Sequence, residues 1–199
     1  MVKRLRAAER RAVIEQAAEP IFAERGYAGT RLQDVAAAAG VTKPVLYLHF
    51  ESKKALHMAL LAKHREGLLS ALAASAAVES PLPSRLPAIL DAWFAYVEQH
   101  PYAWRLLFRD TTGDPQIQQF YRELQASARA LTASLIAAEP EVSIPDTEVE
   151  PLAELIRSAS SGLALWWLEH PDVPRELVVS VLTRVLREGA RAWQTQHPR

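Results

Sequence analysis

The stretch GVTKPVLYLHF, Gly40 to Phe50, puts a lysine, a tyrosine and a histidine close together just after a glycine. Lys43 and Tyr47 are four residues apart, so on a helix they share one face. An ammonium and a phenol on one outer face are hydrogen-bond donors suited to an anion. Leu46 and Phe50, with the same spacing, point inward and anchor the segment to a core. The chemistry on offer is therefore recognition of a negatively charged partner by a short, braced helix.

The elements that position these residues are helical. Apolar residues recur at helical spacing along most of the chain, and strand alternation is nearly absent. Val13, Ile14, Ala17, Ala18 and Ile21 make the stripe of a first helix, which Gly26 ends as a C-cap. Pro20 sits inside that helix, where it costs about 3 kcal/mol and predicts a kink or break. Thr30-Arg31-Leu32-Gln33 reads as a capping box opening a short second helix, with Leu32, Val35, Ala36 and Ala39 on its buried face. Gly40 permits a left-handed turn. Thr42 is suited to cap a third helix with Pro44 in its first turn, and Ser52 a long fourth one.

Two short helices joined through Ala39-Gly40-Val41 form a helix-turn-helix. The second helix of such a motif enters the major groove of DNA, with its first turn at the base edges. Lys43 stands at that first turn and Tyr47 one turn on, within reach of a phosphate.

At these residues the sequence resembles the TetR family of bacterial repressors. The resemblance runs from about Ala12 to Leu56. Its pieces are Phe22, Gly26-Tyr27, Thr30, Ala36, Ala39-Gly40-Val41, Leu46-Tyr47, His49-Phe50 and Ser52-Lys53. It implies that Thr30, Thr42, Tyr47, His49 and Lys53 touch or position the phosphate backbone, and that Arg31, Gln33, Lys43, Pro44 and Val45 lie near base edges. Phosphate contacts set affinity and base contacts set sequence preference. Lys43 is matched to guanine. Several assignments stay open: Gln33 either caps its own helix or reads adenine, Thr30 and Thr42 serve as caps as well as contacts, and His49 is a packed ring or a backbone contact. Lys3, Arg4, Arg6, Arg10 and Arg11 form a basic arm that tracks DNA or is simply solvated. Pro20 departs from the apolar residue usual at its site.

Composition agrees with this division of labour. The 199 residues carry 23 basic and 23 acidic side chains. Residues 1–66 hold 12 Lys/Arg against 7 Asp/Glu, whereas residues 67–199 hold 11 against 16. A basic front half fits a polyanionic partner. Cysteine is absent, which excludes disulfides, thiolate metal sites and a cysteine nucleophile. No apolar run approaches the roughly 20 residues of a membrane span, and the charged N-terminus is unlike a secretory signal, so a cytoplasmic location is expected.

The expected fold is all-α with about nine helices. Residues 1–50 form a three-helix DNA-binding domain and residues 51–199 a helical effector-binding and dimerisation domain. Beyond helix four the aromatics cluster. The resemblance implies an effector pocket there, with Leu61, Arg65, Trp93, Tyr96, Trp104, Phe108, Tyr121, Leu124 and Trp167 as lining candidates; plain core is the alternative for each. Such a lining suits an apolar or aromatic small molecule. On the last two helices, Leu152, Leu155, Ile156, Ala159, Leu163 and Trp166, then Val178, Val181, Leu182, Val185 and Gly189, keep helical spacing. They are expected to form a four-helix homodimer interface, burial within one chain being the alternative.

Catalytic signatures are missing: no G-x-S-x-G, H-E-x-x-H, P-loop or G-x-G-x-x-G occurs. His57 and His64 are seven apart, a poor metal pair. Neither enzyme chemistry, a cofactor nor a metal is expected. The competing reading is a helical small-molecule-binding protein that binds no specific DNA; the complete motif with Arg31 and Lys43 outward argues against it.

Overall fold

The computed structural model describes residues 7–76, 81–108, 113–137 and 144–196. Among them are nine α-helices and no strands: α1 (Ala7–Gly29), α2 (Leu32–Ala38), α3 (Lys43–His49), α4 (Lys53–Ala76), α5 (Leu82–Gln99), α6 (Pro101–Phe108), α7 (Pro115–Ala137), α8 (Asp146–Leu168) and α9 (Arg175–Gln196). Lys3, Arg4 and Arg6 of the basic arm lie outside the described residues, as does the side chain of Phe108. No described helix is long and apolar enough to cross a membrane.

The helices divide into two compact units. The first comprises Met1–Glu66 and Pro101–Gln118, the second Gly67–His100 and Gln119–Arg199. Packing thus groups α6, and most of α4, with α1, α2 and α3, whereas the sequence division falls after residue 50.

In the first unit, Ile14, Ala18 and Phe22 of α1, Val35 and Ala36 of α2, Leu46 and Phe50 around α3, and Leu56, Leu60 and Leu61 of α4 are all buried. α6 packs on α1 and adds the buried Trp104, Leu106 and Leu107. Each such large side chain contributes roughly 1.5–3 kcal/mol on burial. Pro20 lies inside α1 without disturbing it. The non-helical torsions of α1 fall at Gly26 (φ 68°, ψ 175°), so the break belongs to the glycine and not to the proline. A left-handed φ carries no Cβ penalty at glycine, whereas Pro20 keeps its helical φ and only gives up an N–H.

A charged cluster links α1 to α4. Lys63 Nζ (2.8 Å) and His64 Nε2 (3.2 Å) both approach one carboxylate oxygen of Glu19. Partial burial pushes the Glu19 carboxyl up, but the hydrogen bonds and charges of His64 and Lys63 outweigh it and hold the group at about 2. His57, fully buried between the rings of Phe22 (4.7 Å) and Tyr27 (5.2 Å), is pushed down to about 4 by desolvation and the nearby Lys53 charge.

In the second unit α5 packs on α9, with α8 touching both. Phe94 and Trp167 meet edge to face at 5.6 Å, and the Trp167 indole donates to the Val173 carbonyl at 2.7 Å, which fixes the turn between α8 and α9. Arg175 pairs with Asp91 (3.0 Å) and with Glu98 of α5.

Candidate nucleic-acid interface

The site starts at the end of α1. Left-handed Gly26 turns the chain, and the Thr30 hydroxyl donates to the Gly26 carbonyl at 2.8 Å. Thr30 is only 2% exposed, so its hydroxyl ties the α1–α2 link together and is not displayed to a phosphate. The expected capping box does not form for the same reason. The N-cap of α2 is Arg31, extended at φ −113°, with no side-chain cap bond. Gln33 is therefore not occupied as a cap and stands exposed beside Arg31.

The turn between α2 and α3 is a Schellman motif. Gly40 N–H donates to the Ala37 carbonyl (3.1 Å) and Val41 N–H to the Ala36 carbonyl (2.9 Å), closing the α2 C-terminus. Gly40 takes φ 64°, the left-handed torsion this motif requires. Thr42 is the N-cap of α3 by its torsions, but its side chain makes no cap bond and its hydroxyl is exposed. Pro44 falls in the first turn, where its missing N–H costs nothing.

α3 buries Leu46 completely and Phe50 nearly so. Its other side shows Lys43, Pro44 and Tyr47 to solvent, with Val45 and His49 half-buried. The Lys43 ammonium lies 5.9 Å from the Tyr47 ring centroid, a cation–π contact that orients both on one ridge. Arg11 braces the far end of α3: its guanidinium sits 4.2 Å over the Phe50 ring and donates to the His49 carbonyl at 3.3 Å. Within the basic arm Arg11 is thus a brace, while Arg10 lines a shallow groove with Gly40, Val41, Thr42, Val45 and His49.

Lys53, expected to touch or position the phosphate backbone, turns its ammonium toward the end of α1. Its ammonium reaches the carbonyls of Tyr27 (2.7 Å), Thr30 (3.1 Å) and Ala28 (3.4 Å), which accounts for its three protons. The structure makes it the cap of the α1 end. Of the ten expected contact residues, it gathers Arg31, Gln33, Thr42, Lys43, Pro44 and Tyr47 as exposed side chains on α2 and α3, keeps Val45 and His49 at their edge, and folds Thr30 and Lys53 inward. One exposed residue of α3 stands outside the expected set. Leu48, between Tyr47 and His49, is 83% exposed. Its helical angle, opposite Leu46 and Phe50, was available in the sequence.

The expected effector-lining residues are placed as follows. In the first unit, Leu61 and Trp104 are buried and Arg65 is half-buried. In the second, Tyr96, Leu124 and Trp167 are buried, and Trp93 and Tyr121 half-buried. A groove in the second unit lies instead between α5 and α9, with Asp91, Thr183, Arg184 and Arg187 on its walls, and none of the expected residues lines it. Of the expected dimer residues, Leu155, Ala159, Trp166, Val181, Val185 and Gly189 are exposed, and Leu152, Ile156 and Leu163 half-buried. Val178 and Leu182 are at 3% and 5% exposure. They are spent on the core of their own chain. Among the described residues no cluster of metal-ligating side chains occurs.

Comparison with known proteins bears on this geometry. Residues 14–60 match the model of bacterial regulatory proteins of the tetR family, and residues 82–189 the tetracyclin repressor-like C-terminal domain. The chain is 36% identical over 110 residues to the transcriptional activator FasR of Mycolicibacterium smegmatis, covering 55% of this chain and 50% of that protein, so the match spans about half the length of FasR. It is 28% identical over 186 residues to the regulator EthR of the same organism, covering 89% and 84%. A crystal structure of a TetR-like regulator from Rhodococcus sp. RHA1 shares the fold, with TM-score 0.79 at 24% identity, covering 98% of this chain and 100% of that one. These relatives are named as transcription regulators. With family models matching both its helix-turn-helix and its C-terminal helices, the chain belongs to the TetR family and is a DNA-binding transcriptional regulator.

Proposed function

We propose that this protein is a homodimeric repressor that holds a palindromic operator and is released by a small apolar or aromatic ligand. The observation that carries the reading is the display of Arg31, Gln33, Thr42, Lys43 and Tyr47 on two short helices braced from behind by Lys53 and Arg11. A preformed donor surface loses little conformational freedom on binding, so its hydrogen bonds to phosphates and base edges count nearly in full.

Dimerisation is supported by the apolar side chains left in solvent on the last two helices: Leu155 and Trp166 on α8, Leu177, Val181 and Val185 on α9. Exposed Ala159 and Gly162 between them let a partner helix approach closely. A two-fold dimer presents two copies of α3, and two-fold half-sites match them. The ligand releases DNA by binding more tightly to a dimer whose reading helices no longer fit the half-site spacing, which is a population shift. The action takes place in the cytoplasm, where the DNA is.

The test is binding of the purified protein to the DNA flanking its own gene, against a scrambled duplex, at two salt concentrations. Tight, sequence-selective binding supports the reading. Weak binding that treats both duplexes alike overturns it for that fragment and favours the ligand-binding alternative. Since FasR is named an activator, transcription from the bound fragment with and without the protein separates the two senses: a rise on removal of the protein marks a repressor.

A further inference from the structure

α3 carries a second ridge besides the Lys43–Tyr47 one. Leu48 is 83% exposed, the most exposed of the large apolar side chains described. At 100° per residue it lies about 180° from the middle of the buried Leu46–Phe50 face, so it is the outermost point of the helix. Pro44, exposed four residues earlier, stands in line with it. The ridge is apolar along its whole length and runs beside the donors Lys43 and Tyr47. An isolated exposed leucine needs no explanation, but this one crowns the helix that the rest of the unit is built to present.

We propose that Leu48, with Pro44, reads the C5-methyl group of thymine in the operator, making it a specificity-determining residue. In the major groove the base edges offer hydrogen-bonding groups and one apolar feature, the thymine methyl. Lys43 answers the acceptors, and the Pro44–Leu48 ridge answers the methyl. Contact removes the leucine and the methyl from water together, which favours thymine over cytosine or a demethylated base at that position. The proposal rests on the reading of α3 as the groove-facing helix.

The experiment begins by selecting operators from random duplexes with the wild-type chain, then replaces each conserved thymine by deoxyuridine, which removes only the methyl. At one half-site position uracil is expected to weaken wild-type binding about fourfold per half-site, the worth of one buried methyl. Leu48→Ala is expected to bind the thymine duplex about tenfold more weakly, and to show no further loss with uracil. Because the side chain is exposed, its melting temperature should match the wild type. A uracil penalty equal in wild type and Leu48→Ala overturns the proposal, and so does a selected consensus in which no thymine methyl matters. Failure to select any sequence overturns the groove reading itself, a result distinct from both.

Discussion

Lys53 embraces Tyr27 twice: its ammonium is 2.7 Å from the Tyr27 carbonyl oxygen and 4.5 Å from the centroid of the same residue's ring. With the carbonyls of Ala28 and Thr30 also in reach, one lysine at the start of α4 closes the end of α1 and fixes the entry into α2. Cations are favourable at a helix C-terminus, and a charge-assisted bond there is worth about 1.5–3 kcal/mol. Lys53→Met should therefore lower the unfolding free energy by about that amount. It should also weaken operator binding without changing the slope of log K against log salt. A slope reduced by about 0.9 would show instead that Lys53 neutralises a phosphate.

Lys43 and Tyr47 share a ridge but serve different ends. Tyr47→Ala should weaken binding to all sequences to a similar degree, through loss of a phosphate contact worth about 1 kcal/mol. Lys43→Ala should cost about 1–3 kcal/mol and also flatten the preference at one half-site position. Titrations of each variant against operator and scrambled duplexes decide this; unchanged operator affinity in both would remove α3 from the groove.

His57 supplies a pH dependence. Burial, with the nearby Lys53 charge, pushes the His57 pKa down from the ordinary histidine value of 6.5 to about 4, because both disfavour the imidazolium. The unfolded chain thus binds more protons between these values. The contribution is fully present above pH 6.5 and is lost as pH falls toward 4, by up to about 3 kcal/mol. Denaturant unfolding of wild type and His57→Phe over that window should show the slope in the first and its loss in the second.

The last two helices divide their apolar residues between two duties, and variants should separate them. Leu155→Glu or Val185→Glu, at 64% and 62% exposure in the single chain, should yield folded monomers in sedimentation experiments, with operator affinity falling steeply. Leu182→Ala should instead lower stability by about 2–5 kcal/mol, since it empties part of the chain's own core.

Much of the reading unit was legible in the sequence because its logic is local. Gly40 is required by the left-handed turn, Pro44 tolerates a first turn, and Ser52 caps α4, its hydroxyl accepting from the Ala55 N–H at 3.0 Å. Each depends on a few neighbouring residues. The positions that the structure placed otherwise, or left to be decided, depended on distant ones. Thr30 was read as a cap as well as a contact, and only the turn at Gly26 brought an α1 carbonyl to its hydroxyl. Pro20 looked like a break because a missing N–H is visible in sequence, but its ring already holds a helical φ, and the helix runs on through it to the non-helical torsions of Gly26.

By itself the sequence determined the helices, the turn and the outward face of α3, since periodicity, caps and glycine torsions are properties of short segments. Only the tertiary structure decided which lysine reaches solvent and which is absorbed. Lys43 and Lys53 are indistinguishable as residues in a basic segment. What separates them is that three carbonyls, two at the end of α1 and that of Thr30 just beyond it, more than twenty residues away in the chain, converge on one ammonium and leave the other for a partner.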